Sequence, residues 1–178
     1  LHGSTVVVVG TGSVGSAIAA RFGALGCVTL GVSRRGHPRP AFDRVYAVED
    51  LAEVVPSARW FVLAAPLTAD TRGLIGAGVL DRCRAAFLIN VARGELLDTS
   101  AFLVALEAGR LVGAALDVFE EEPLPADSPL WQAAGVVVTP HIAGVTHIAE
   151  AGEAFLTALA QLEAGEAVPA AVDPARGY

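Results

Sequence analysis

Val6–Gly23, VVVVGTGSVGSAIAARFG, runs from four valines through three glycines into apolar and small residues at helical spacing. The valines read as a strand and the residues from Val14 as a helix, so the glycines fall on the turn between them. Each glycine has its own task in such a turn. Gly10 permits the tight bend, Gly12 lets a pyrophosphate approach the backbone, and Gly15 lets the helix pack close to the strand. The N–H groups around Ser13 and Val14 then lie at the positive end of the helix, where phosphates bind. Glycines also collect in ordinary turns. The strand before and the helix after make this one a dinucleotide site.

Outward from this turn, short apolar runs alternate with helical patterns, the rhythm of a parallel sheet. Strands are expected at Thr5–Val9, Val28–Val32, Trp60–Ala64, Ala86–Asn90, Gly113–Leu116 and Val136–Thr139. Helices are expected near Val14–Leu25, Asp50–Val55, Gly76–Arg82 and Thr99–Ala108, with a last one from about His147 to Ala164 before a polar tail. The fourth helix has a start signal at Asp98–Thr99–Ser100 and a stop at Gly109. Near-continuous hydrophobicity in the strands predicts a sheet covered on both faces. The fold class is therefore α/β, a Rossmann-like doubly wound parallel sheet flanked by helices. Two long connections, Ser33–Phe42 and Phe119–Leu130, are rich in proline and charge, as functional or mobile loops are.

The second expected strand ends in a departure. A carboxylate usually stands there to hold the two ribose hydroxyls of NAD, and it repels a 2′-phosphate. Here Ser33, Arg34 and Arg35 supply a hydroxyl and two cations, and no acid occurs between Gly31 and Phe42. That chemistry suits NADP, with NAD as the alternative. The competing reading is a solvated basic loop that also holds His37 and Arg39.

Composition narrows the classes further. A net charge of −7 argues against a nucleic-acid surface. The valine run is too short to cross a bilayer, and no signal-peptide pattern is visible. Cys27 and Cys83 form neither a disulfide framework nor a metal-ligand spacing, so no metal is expected and the compartment reads as the reducing cytoplasm. The chain lacks methionine and opens with Leu1 almost on its first strand, which predicts a fragment without its natural N-terminus.

Four further stretches, LAAPLTADTRGLIG, INVARGELLD, GAALDVFEEEPLP and VTPHIAG, follow in order. With them the chain resembles the D-isomer-specific 2-hydroxyacid dehydrogenases from about Gly3 to its end. The resemblance implies a nucleotide-binding domain over residues 1–146 and a C-terminal helix and tail over 147–178, with the family's substrate domain absent. It places the catalytic residues on Arg93, Glu122 and His141. The chemistry suits those types. Reduction of a 2-oxo acid needs a cation for the carboxylate and carbonyl, a hydride, and a proton for the developing alkoxide. Arginine offers a planar fork to a carboxylate, histidine exchanges protons near neutral pH, and a neighbouring glutamate favours the imidazolium. Each also has a plainer reading: a surface loop arginine, a solvated charge run at Glu120–Glu122, and a satisfied core histidine.

By the same resemblance, Asp117 holds the nicotinamide carboxamide, and Ala65, Pro66 and Thr71 pass the adenosine side. Val91 and Gly144 line the nicotinamide. The implied activity is hydride transfer between NADP(H) and a small 2-oxo or 2-hydroxy acid, glyoxylate- or hydroxypyruvate-reductase-like, in a homodimer. Formate dehydrogenases of the family typically carry Gln at the place of Glu122, which disfavours that activity. Phosphoglycerate dehydrogenases remain an alternative. So do co-repressors of the same fold, which bind NAD(H) and act through partner surfaces. A flavin or S-adenosylmethionine protein would not need the three residues together.

Overall fold

The computed structural model describes residues 1–144 and 148–168. Thr5–Val9 is strand β1, with all four valines buried. It pairs in parallel with β2 (Val28–Ser33) on one side and β4 (Trp60–Leu63) on the other. Beyond β2 lies β3 (Arg44–Ala47), and beyond β4 follow β5 (Ala86–Asn90), β6 (Leu111–Leu116) and β7 (Val136–Val138). The order is β3-β2-β1-β4-β5-β6-β7, and every ladder is parallel. The chain builds outward from β1 to β3, then returns to start β4 on the other side of β1. That reversal opens a crevice at the carboxyl ends of β1 and β4, where such sheets bind their ligands.

Side chains of one strand point alternately to the two faces. Val7, Val9, Phe61 and Leu63 therefore join one core, while Val6, Val8 and Val62 join the other. Helix α1 (Ser13–Ala24) covers the second core through Ala19. The first core takes Leu51 and Val54 from α2 (Leu51–Val54), Leu80 from α3 (Ala77–Leu80), and Phe102 and Ala105 from α4 (Thr99–Glu107). Phe61 and Phe102 are fully buried, and each such side chain contributes about 1.5–3 kcal/mol by leaving water. The N-terminus of α4 is capped by Asp98, whose Oδ1 accepts the amide of Ala101 at 2.9 Å. Past its end Gly109 takes φ +68°, the left-handed conformation that stops a helix at least cost.

The expected strands and helices are present with end shifts of one or two residues, but β3 lies where the sequence shows only a connection. Its cause is tertiary. Asp43 Oδ2 accepts both the amide and the hydroxyl of Thr29 (2.7 and 3.0 Å), which fastens the start of β3 to β2. These bonds, the backbone amide of Thr29 first, hold the Asp43 carboxyl below the usual carboxylate range.

The chain divides into two compact units after His141. In the second, α5 (Ile148–Glu163) exposes Phe155, Leu156 and Leu162. His147, taken as the first residue of this helix, and residues 169–178 lie outside the described residues. No helix among the described residues is long and apolar enough to cross a membrane.

Candidate active site

The glycine turn has the space that its sequence promises. Gly10 has φ +101°, and a Cβ there would lie 2.5 Å from the backbone of Ala64. A Cβ on Gly15 would lie 1.8 Å from the carbonyl oxygen of Gly10. Gly12 has nothing within 4 Å of the corresponding point. Two glycines are thus forced by protein and the third faces open space. Gly12 is also the N-cap of α1 and supplies no side-chain cap, while the first helical bond runs from Ser16 N to Gly12 O (2.9 Å). The amides of Ser13, Val14 and Gly15 precede that bond and have no partner within the helix, so they form a cradle that fits a pyrophosphate.

Ser33 ends β2 beside Ala47 of β3, and Arg34 and Arg35 form the exposed turn that follows. Gly36 closes it with φ +66°, where a Cβ would lie 2.8 Å from the amide nitrogen of Ala47. The unforeseen β3 therefore holds the basic turn in place. Neither arginine enters an ion pair among the described residues. Ala65 is buried and Pro66 exposed after β4, and Thr71 shapes their loop by donating to Pro66 O (2.7 Å) and accepting Thr68 N (2.8 Å). Val91 follows β5, half-buried. Gly144 belongs to the second unit.

Three strand ends converge on the proposed catalytic residues. After β7, the Nδ1 of His141 lies 2.8 Å from Oε2 of Glu122. The other carboxylate oxygen, Oε1, accepts the amide of Phe119 at 3.0 Å. The bond to His141, then that of Phe119, hold the Glu122 carboxyl below the usual range, and the charge of Arg93 acts in the same direction. The glutamate run is thereby sorted: Glu120 accepts the hydroxyl of Thr99 (3.2 Å), while Glu122 turns to the histidine. His141 itself has φ +55°, rare for a residue with a Cβ. Its amide is held there by the carbonyls of Asp117 (2.8 Å) and Thr139 (3.1 Å). Asp117 is buried, and its carboxylate accepts the hydroxyl of Thr139.

Arg93 follows β5 with its side chain exposed, and its Nη1 donates to Ala92 O at 2.6 Å. Gly94 lies so close to Phe119 that a Cβ would come within 1.8 Å of its carbonyl carbon. The arginine loop and the glutamate loop are thus in backbone contact. With Nδ1 bonded to a carboxylate, Nε2 is the ring nitrogen of His141 that the Glu122 bond leaves open. No group of three or more His, Cys, Asp or Glu among the described residues could hold a metal ion. Sequence reasoning passed over Asn90, Thr139 and Gly94. Their signals were a polar residue at the end of an apolar strand, another at the end of the last expected strand, and a glycine directly after the arginine.

Fold and site together define a dinucleotide-binding domain with a His–Glu pair beyond the carboxyl ends of β6 and β7. The chain belongs to the D-isomer specific 2-hydroxyacid dehydrogenases, whose NAD binding domain matches residues 1–143. It is 39% identical over 175 residues to glyoxylate/hydroxypyruvate reductase A of Citrobacter koseri, covering 98% of this chain and 56% of that protein. The chain thus spans little more than half the length of the curated relatives that it matches. A D-isomer specific 2-hydroxyacid dehydrogenase from Xanthobacter autotrophicus, solved with NADPH, superposes with a TM-score of 0.92 at 39% identity, over 98% of this chain and 73% of that one. The NADPH-dependent glyoxylate/hydroxypyruvate reductase of Sinorhizobium meliloti, solved with NADP, gives 0.90 at 31% identity, over 98% and 57%.

Proposed function

We propose that the chain is the nucleotide-binding half of an NADP(H)-dependent reductase of small 2-oxo acids, of the glyoxylate or hydroxypyruvate type. The observation that carries the reading is the 2.8 Å pair of His141 and Glu122, with the charge of Arg93 acting on the same carboxylate. NADPH supplies the hydride. Arg93 holds the substrate carboxylate and polarises the carbonyl, which a planar guanidinium does in two bonds at once. His141 gives a proton from Nε2 to the developing alkoxide, and Glu122 orients and supports the imidazole through its bond to Nδ1.

The pyrophosphate rests on the amides of Ser13, Val14 and Gly15, and the 2′-phosphate on Ser33, Arg34 and Arg35. Two cations free of ion pairs among the described residues are available to a phosphate without first breaking a bond. Ala65, Pro66 and Thr71 flank the adenosine, and Val91 and Asp117 the nicotinamide. The nucleotide-binding domain runs to about residue 146, a few residues past the division after His141, and residues 147–178 belong with the substrate domain of the intact protein. Self-association belongs to the same reading, since apolar residues exposed as on α5 are surface that a second copy covers. Initial rates of the intact protein with a panel of 2-oxo acids, each with NADPH and NADH, test the proposal. Glyoxylate or hydroxypyruvate with NADPH is the expected best pair, and no turnover of any 2-oxo acid overturns it.

A further inference from the structure

We propose that Asn90 is a positioning residue that sets Arg93 to receive the substrate carboxylate, an inference that rests on the reading of Arg93 above. Asn90 closes β5, and it is 0% exposed. An amide buried at the end of an apolar strand is costly unless its polar atoms are paired. Both are. Nδ2 donates to the carbonyl of Arg93 at 3.0 Å, and Oδ1 accepts the amide of Ala92 at 3.1 Å.

These two bonds close over the backbone from Asn90 to Arg93. The single side-chain hydrogen bond of Arg93 among the described residues goes to the carbonyl of Ala92 (2.6 Å). The guanidinium therefore takes its direction from a peptide segment that Asn90 clamps at both ends. The clamp has its own anchors. The carbonyl of Asn90 accepts the amide of Asp117 (3.0 Å), and Gly94 lies against the backbone of Phe119. Holding this segment takes one donor and one acceptor on a short planar group, which asparagine has and an ionised aspartate lacks.

Asn90→Asp in the intact protein keeps the acceptor for Ala92 but sets a second oxygen against the carbonyl of Arg93. The expected result is a rise in KM for glyoxylate or hydroxypyruvate and a fall in kcat/KM of about ten- to hundredfold, the scale of a misplaced substrate contact. Affinity for NADPH and the pH profile stay as in the unmodified protein. In an Arg93→Ala background the same substitution has almost no further effect, because residues that act as a unit are not additive. Independent, additive losses, or an unchanged KM in Asn90→Asp, overturn the proposal. Arg93→Ala with an unchanged KM overturns the reading of Arg93 itself, and a separate variant reports it. If Asn90→Asp does not fold, Asn90→Ser, whose hydroxyl both donates and accepts, takes its place. Failure of both to fold and bind NADPH assigns Asn90 a purely structural role and overturns the proposal.

Discussion

Glu122→Gln separates the charge of this residue from its shape. The amide keeps an oxygen for the Phe119 amide, so the loop closes as before, but its neutral group faces Nδ1 of His141 in place of an anion. The pair is partly solvated, with side chains 50% and 36% exposed for His141 and Glu122. Solvent screening puts such a pair at roughly 0.2–1 kcal/mol, well below what its short distance would give in a dry interior. Glu122→Gln should lower folding stability by about that amount near neutral pH. The sign follows from Glu122 itself: its charged form is the one favoured in the folded chain, so removing the charge removes stability. The same bond has an acid side. Because the carboxyl of Glu122 is held below the usual range, its contribution to stability is present above the unfolded-state pKa. It is lost as pH falls through the depressed folded value, and the Gln variant lacks this loss. The assay is denaturant unfolding of both forms from about pH 3 to about pH 7, which spans the ordinary carboxylate range. A stability gap between the two forms that does not change with pH would refute the pairing.

Ser33→Asp combined with Arg34→Ala should lower the preference for NADPH over NADH by at least about tenfold, since one charge-assisted bond is worth roughly 1.5–3 kcal/mol and the new anion repels phosphate. Titration of both nucleotides reads it, and an unchanged ratio counts against the basic turn. Gly12→Ala and Gly15→Ala should differ in kind. The first has open space around its Cβ, so stability changes by no more than about 1 kcal/mol while NADPH affinity drops at least about tenfold. The second drives a Cβ into the carbonyl of Gly10 and should cost stability as well, about 1–3 kcal/mol or more, by thermal or denaturant unfolding.

What was legible in the sequence follows the range of the forces involved. Strand β1 and the turn after it are local: a valine run, three glycines at fixed spacing and a helix start are enough. Strand β5 is bounded by its own apolar run, and α4 by Asp98 and Gly109. Strand β3 is four residues at the sheet edge, none fully buried, and it exists because Asp43 reaches Thr29 across the chain. Strand β6 begins at Leu111, two residues before the expected Gly113, because pairing with Ala86 extends it. At the site, residue types were readable and pairings were not. Nothing local marks Glu122 from Glu120 and Glu121, since the choice is made by Phe119 and His141. The left-handed backbone of His141 is likewise set from a distance, by the carbonyl of Asp117.

The most direct test is a single-turnover measurement on the preformed NADPH complex of the intact protein, comparing the unmodified form with His141→Ala after mixing with glyoxylate or hydroxypyruvate. The account predicts unchanged NADPH affinity and hydride transfer slower by about 10²–10⁴-fold, the usual worth of a positioned acid. Hydride transfer at the same rate in both would contradict it.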